Sequence, residues 1–224
     1  FNSHHKAGLT RDKGFFDDQI IKLKHPKSNE LITEDEGIRY PPNMASLKKL
    51  KSLFAKNGVV TAGTASQITD GASAVLLASA DAVKKYGLKV RARILSRCVV
   101  GSDPIVMLDG VIPATQNAIN KAGLTINNID LFEVNEAFAV VPLALQKTLK
   151  ISDDKLNISG GACAHGHPLG ATGCVLMTKL VNDLERTQGK YGLQTMCIGW
   201  GMATATVIER TNKILPNRDI KAKL

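Results

Sequence analysis

The chain has 224 residues, 44% of them hydrophobic and 22% charged, the balance of a folded protein with a sizeable core and not of a disordered one. No apolar run approaches the roughly 18 residues needed to cross a bilayer, which argues against a transmembrane segment. The net charge is +9, yet aromatics are only 4% and the basic residues are scattered; this offers no stacking platform for single-stranded nucleic acid and fits an acidic small-molecule ligand better.

Residues 1–58 are lysine-rich and poorly periodic, broken by "HPKS", "DEGIRYPPN" and "KNG", and predict a loop-rich, partly helical excursion. Its one clear amphipathic helix is "MASLKKLKSLF" (44–54), with Leu47, Leu50 and Phe54 at helical spacing. From Val59 the texture changes. "VVTAGTASQITDGASAVLLASADAVKKYG" runs from small residues through an apolar stretch into a short helix, with Ser79 as N-cap, Asp81 in the first turn and Gly87 as the stop. "VRARILSRCVV" (90–100) alternates as a strand does. "IPATQNAINKAG" (112–123) opens on a proline suited to a first helical turn and ends on glycine.

"IDLFEV" (129–134) reads as a buried strand, and "EAFAVVPLALQKTLKI" (136–151) as a helix that Pro142 kinks or delays. "LNISGG" is a short strand entering a glycine-rich loop. "GATGCVLMTKLVNDLERTQG" follows as a long helix with Val175, Leu176, Leu180 and Leu184 on its apolar face. "LQTMCIG" and "ATATVIER" close the pattern as strands. The alternation predicts an α/β layered architecture with a largely parallel sheet between helices. Ligands in such folds collect at strand C-terminal ends and helix N-termini.

Three loops lie at such places. "GGACAHGHPLGATG" (160–173) sets two imidazoles among glycines and alanines with no charged side chain. On an extended segment Cys163, His165 and His167 point one way and would suit zinc, but common sites leave two to four residues between paired ligands, and no companion carboxylate or cysteine lies nearby in sequence. Alternatively, one histidine satisfies backbone groups while the other lies at the surface. Catalytic use fits the neighbours best. Glycines let a ligand pass close, Pro168 fixes the approach to the helix, and the helix N-terminus supplies partial positive charge. A neutral imidazole there donates to a developing oxyanion or activates a thiol; spacing does not choose between the two histidines. "CIGWG" (197–201) places Cys197 at a strand end, as a packed core thiol or a reactive one. "VNEAF" offers Asn135 and Glu136 either to a ligand or as the cap and first turn of a helix.

The four cysteines, Cys98, Cys163, Cys174 and Cys197, form no CxxC pair, which suggests reduced thiols in an intracellular compartment. The opening "FNSHHKAGLTRDKGFF" has no signal-peptide core and reads as the middle of something: a fragment, a processed product or half of a split protein. The ending Ala222-Lys223-Leu224 is a variant of the Ser-Lys-Leu peroxisomal address, with the mitochondrial matrix as the alternative compartment.

Together these stretches resemble the thiolase family, the acetyl-CoA C-acyltransferases. Four signatures occur in the family's order: "TAGTASQITDGA" (61–72), "NEAFA" (135–139), "GGACAHGHPLGATG" (160–173) and "CIGWGM" (197–202). "FFDDQI" (15–20), "DEGIR" (35–39) and "GSDPIVM" (101–107) add to the likeness, which runs to about Arg210. The resemblance implies a thiolase-like layered αβαβα fold, incomplete at the N-terminus. It divides the chain into a loop-domain remnant (1–58), a returning segment of the N-terminal domain (59–88), a C-terminal domain (89–210) and a polar tail (211–224). It implies acyl transfer on CoA thioesters, with coenzyme A as a substrate, no bound cofactor and no metal. Partners are a homo-oligomer or a chain supplying the N-terminal half.

The roles follow residue by residue from the resemblance. His167 matches the histidine that activates the nucleophilic cysteine and helps bind the thioester oxygen. Asn135 matches the asparagine that orients a water completing that oxyanion site. Cys197 matches the cysteine that moves the α-carbon proton, and Gly199 the glycine whose N–H supplies half of another oxyanion hole. Ser66, Met107 and Phe138 match positions lining the pantetheine channel. His165 falls where the family usually has Leu, Ile or Asn.

Two departures stand out. None of the four cysteines occupies the nucleophile's motif, so the chain alone is expected to be inactive; a non-catalytic subunit that binds CoA or a partner chain is the alternative. Trp200 replaces the middle glycine of the usual Cys-Ile-Gly-Gly-Gly run, and Ala203 a later one. A β-ketoacyl synthase is disfavoured because its His-Gly-Thr stretch is missing. "SQITDGA" and the C-terminal tripeptide lean toward a degradative 3-ketoacyl-CoA enzyme of fatty-acid metabolism.

Overall fold

The computed structural model describes residues 1–211. Of the expected polar tail only Thr211 is among them, and the Ala222-Lys223-Leu224 ending lies outside the described residues. Helix α1 (Asn2–Asp12) leads into a short antiparallel ribbon, β1 (Leu23–Lys24) with β2 (Leu31–Ile32), and a single helical turn, α2 (Met44–Leu47). After an extended stretch come α3 (Ala80–Tyr86), β3 (Ala92–Gly101), α4 (Val111–Lys121), β4 (Leu131–Val134) and α5 (Val140–Leu149). The turn α6 (Ala162–His165), helix α7 (Leu169–Thr187) and strands β5 (Tyr191–Ile198) and β6 (Met202–Arg210) complete it.

The sheet has the order β3-β6-β5-β4. Alternation along β5 divides its side chains between two layers. Leu193 and Cys197 join Val111, Ala114 and Ala118 of α4 and Val141 and Leu145 of α5 in the main core. Gly192 faces the other way, where a Cβ would sit 2.8 Å from Leu180 and Leu184 of α7. Leu131, Leu180, Leu184 and Ile208 form that second layer. Burying each such leucine or isoleucine stabilises the fold by about 1.5–3 kcal/mol. A small third cluster of Ala7, Phe16, Ile38 and Ala164 fastens the N-terminal excursion to α6.

Several expectations hold. Ser79 caps α3 by accepting from the Ala82 N–H, and Gly87 ends it at φ +60. Pro142 sits three residues into α5, so the helix starts late rather than kinking. Leu176, Leu180 and Leu184 are buried along α7, with Val175 at the margin.

Four expectations are corrected. The sheet is mixed, not largely parallel: only β4–β5 is parallel, because a tight turn joins β5 to β6 and β3 pairs antiparallel with β6. The helix expected over 44–54 is one turn; Leu50 and Phe54 of its apolar stripe stay exposed, and so short a helix is marginal without burial of that stripe. "LNISGG" is not a strand. Leu156 makes one isolated bridge to Phe132, and then the Asn157 side chain takes over, accepting from Val134 N–H (2.8 Å) and donating to Val134 C=O (2.9 Å). Cys163, His165 and His167 do not share a face, since residues 162–165 are helical.

Candidate active site

His167 stands between α6 and α7, held on three sides. Its N–H donates to the Gln67 carbonyl (3.2 Å). Its Nδ1 pairs with Thr172 Oγ1 (2.7 Å) in the first turns of α7, and its Nε2 with Asn135 Nδ2 (3.1 Å). An amide NH2 donates, so as placed Nε2 accepts and Nδ1 carries the proton that Thr172 receives. Burial lowers the imidazole's pKa below 6.5, which leaves it neutral at physiological pH. The preceding Gly166 sits at φ +88, where a Cβ would lie 1.9 Å from Thr69 Oγ1. Only glycine allows the loop to pass there.

Asn135 is carried by the end of β4. Its N–H continues the ladder to Thr195 C=O (3.0 Å), and the residue is fully buried. It does not cap a helix, because α5 begins five residues later, and Glu136 is not in a first turn. Glu136 instead accepts from Cys163 N–H (3.1 Å) and Asn157 Nδ2 (3.0 Å), pinning the glycine-rich loop to the strand end. Burial and the Glu136 carboxylate push the Cys163 thiol up to about 12; it is a packed, unreactive group.

Cys197 lies on β5, two residues past the Thr195 carbonyl that receives Asn135. It is 7% exposed within the main core, and burial raises its thiol pKa. No hydrogen bond joins its sulfur to His167 or Asn135 among the described residues. Gly199 opens the β5–β6 turn, and a Cβ there would meet nothing within 4 Å. Trp200 follows at φ +68 and is 82% exposed, so the indole does not fill the space beside His167.

The residues matched to a pantetheine channel divide in two. Ser66 N–H donates to Ala137 C=O (3.0 Å), Ala139 N–H to Thr64 C=O (2.8 Å), and Ala65 bridges Phe138. Ser66 and Phe138 thus meet immediately downstream of Asn135. Met107, at φ +45, belongs to a separate loop after β3. His165 points elsewhere. Nε2 donates to Ser159 C=O (2.9 Å), Nδ1 lies 3.3 Å from Asp35 Oδ2, and Phe16 packs edge-on at 5.3 Å between centroids. It ties the excursion to the loop and does not share the His167 site.

Sequence reasoning missed Gln67, Thr172 and Asn157. Gln67 lies within "TAGTASQITDGA" and Thr172 within "GATG", and neither carries a signal of its own there. A cleft of about 310 Å³ near α1 is lined by Ser3, Thr64, Glu136 and Cys163 but not by His167 or Cys197. Among the described residues no group of three or more His, Cys, Asp or Glu has metal-binding geometry, and no helix is long and apolar enough to cross a membrane.

A layered α/β fold with a mixed sheet, carrying an imidazole–carboxamide pair where a strand end meets a helix start, defines the class. The chain belongs to the thiolase family: the N-terminal domain of thiolases matches residues 1–81 and the C-terminal domain residues 88–210. It is 48% identical over 210 residues to a steroid 3-ketoacyl-CoA thiolase of Mycobacterium tuberculosis, covering 93% of this chain and 50% of that protein. Identity to the mitochondrial 3-ketoacyl-CoA thiolase of Homo sapiens is 44% over 211 residues, covering 93% and 53%. The crystal structure of human mitochondrial 3-ketoacyl-CoA thiolase superposes with a TM-score of 0.88 at 38% identity, over 93% of this chain and 53% of that one. Its complex with CoA gives 0.87 at 37%, over 94% and 53%. The chain spans about half the length of the curated relatives it matches.

Proposed function

We propose that these residues perform the acid–base half of acyl transfer on CoA thioesters, cleaving a 3-ketoacyl-CoA with CoA or running the reverse Claisen condensation. The acyl-accepting thiol comes from polypeptide outside these 224 residues. The observation that carries this reading is the Thr172–His167–Asn135 chain, which holds a neutral imidazole in one orientation at the end of β4. Asn135 Oδ1 is buried and has no hydrogen-bond partner among the described residues, so the carboxamide keeps an acceptor for a ligand or solvent molecule.

The accepting thiolate, its proton taken by His167, attacks the 3-keto carbon. The C2–C3 bond breaks, and its electron pair passes into a thioester enolate. His167 and the Asn135-bound water stabilise the thioester oxygen, and the Gly199 N–H stabilises the keto oxygen during attack. Each such donor is worth roughly 3–4 kcal/mol in a water-excluded site. Cys197, kept protonated by burial, gives its proton to C2 and releases acetyl-CoA. The CoA thiol then gives its proton to the Cys197 thiolate and attacks the acyl carbon; the bond to the accepting sulfur breaks, and that sulfur leaves with the proton held by His167.

The test uses the purified chain with acetoacetyl-CoA and CoA. Alone it is expected to show no turnover, because no thiol is hydrogen-bonded to His167. A polypeptide carrying a thiolase N-terminal half, added in trans, restores it. In the restored enzyme His167→Ala lowers kcat by roughly 10²–10⁴-fold. Turnover by the chain alone would overturn the assigned roles. A second reading, a subunit that binds CoA or a partner without catalysis, is favoured by Trp200 in the place of a glycine; stable assembly with the N-terminal half and no turnover would select it.

A further inference from the structure

Trp200 is the only tryptophan of the chain and stands almost free in solvent. Its left-handed backbone is one that bulky side chains avoid and glycine adopts freely. The β5–β6 turn thus bears two costs at once, a strained backbone and a large ring in water. Such costs persist where they serve a site. Trp200 follows Gly199 directly and stands three residues after Cys197 in the chain.

The turn is braced against the loop after β3. Ser102 N–H donates to Gly201 C=O (2.5 Å), and a Cβ on Gly201 would lie 2.6 Å from Ser102 O. In that loop the Asp103 carboxylate accepts from Ile105 N–H (2.7 Å) and Val106 N–H (3.2 Å), while its carbonyl accepts from Met107 N–H (2.8 Å). This built turn leaves Ile105 90% and Val106 55% exposed. Two interlocked turns at one end of the sheet therefore hold bulky apolar groups in water, next to the strand end that carries Cys197.

We propose that Trp200 is a specificity-determining residue. With Ile105 and Val106 it forms an apolar wall that receives the hydrocarbon of the acyl-CoA beyond its reacting carbons, favouring long or bulky acyl groups over acetyl. This rests on the acyl-thioester reading. Each methylene taken from water gives about a fourfold gain in affinity, so a wall that shields only a few still separates decanoyl from acetyl.

The lone indole reports on itself. The chain is titrated with CoA, acetyl-CoA and monomeric decanoyl-CoA while tryptophan emission and binding heat are followed, with free decanoate as control. Decanoyl-CoA is expected to shift the emission to shorter wavelength and to bind at least about tenfold tighter than CoA. CoA and acetyl-CoA leave the emission in place. Trp200→Phe keeps most of the preference, and Trp200→Gly, with circular dichroism confirming its fold, reduces it below about threefold. The inference is overturned if decanoyl-CoA binds no tighter than CoA, if saturation leaves the emission unmoved, if decanoate alone reproduces the shift, or if Trp200→Gly retains the preference. It is also overturned if only an added thiolase N-terminal half shifts the emission. Failure of CoA and acyl-CoA alike to bind removes both this inference and the reading beneath it, whereas CoA binding without chain-length dependence removes this inference alone.

Discussion

His167 is made useful by what surrounds it rather than by its own chemistry. Thr172 and Asn135 fix its two nitrogens, and burial keeps it uncharged. Because its folded pKa is lowered, the unfolded chain binds more protons between that value and 6.5. The stability it contributes is complete above pH 6.5 and is lost as pH falls through the folded pKa. His4 is lowered too, chiefly by burial, and acts with the same sign. The expected outcome is an NMR titration midpoint for His167 below 6.5, and a flatter acid limb of stability in His167→Gln than in the parent. Trp200→Gly makes a second test at this scale. Relief of left-handed strain gains about 1–2 kcal/mol, while the greater freedom of unfolded glycine takes back about 0.5–1. Urea unfolding is expected to show a net gain of about 0.5–1 kcal/mol. At this scale the sequence marked His167, Asn135 and Cys197 through their motifs. It could not mark Gln67, whose hydrogen bonds reach distant segments and leave no local signature, or Thr172, whose contact with His167 depends on how the loop turns into α7.

Helix α7 is fastened to the sheet by a buried ion pair. Lys179 Nζ lies 2.9 Å from Glu133 Oε2 on β4 and also donates to the Gly160 carbonyl, where the glycine-rich loop begins. Burial outweighs the lysine's pull and pushes the Glu133 carboxyl up to about 7. Removing one partner of such a pair costs about 3–5 kcal/mol, whereas replacing both with apolar groups is often neutral. Lys179→Met is expected to cost that much at pH 8.5 and less at pH 5.5, where Glu133 can take up a proton; Glu133→Leu with Lys179→Met recovers most of the loss in denaturant unfolding. Periodicity exposed the elements whose faces differ in polarity, such as β3 and α7. It was silent on α1, whose buried residues are Ser3, Ala7, Gly8 and Thr10, small groups that leave no apolar stripe. It misread "LNISGG" because the Asn157 carboxamide stands in for a neighbouring strand.

On the scale of the whole molecule, the stretch between the excursion and α3 leaves Ile68, Leu76 and Leu77 in solvent. Apolar surface of that kind marks an interaction face. The chain alone is expected to bind an apolar dye such as ANS strongly, and a polypeptide carrying a thiolase N-terminal half to suppress that signal while slowing amide exchange over residues 68–79. Dye binding that the added half leaves unchanged would contradict this pairing. The layered architecture was legible from alternating elements, but strand direction was not, since it depends on which strands become neighbours and not on their composition.

One side chain joins parts that the chain order keeps far apart. The two N–H groups of the Gln67 side-chain amide are shared among the carbonyls of Gly37 (2.9 Å), Cys163 (3.1 Å) and Ala164 (2.9 Å), while the Gln67 main-chain carbonyl receives the His167 N–H. It works as a rivet through three layers of backbone. A protease cut at the exposed Lys48, Lys49 or Lys51, between Gly37 and Gln67, should therefore leave both pieces clamped together and the imidazole undisturbed, whereas Gln67→Ala should let the same nick pull them apart.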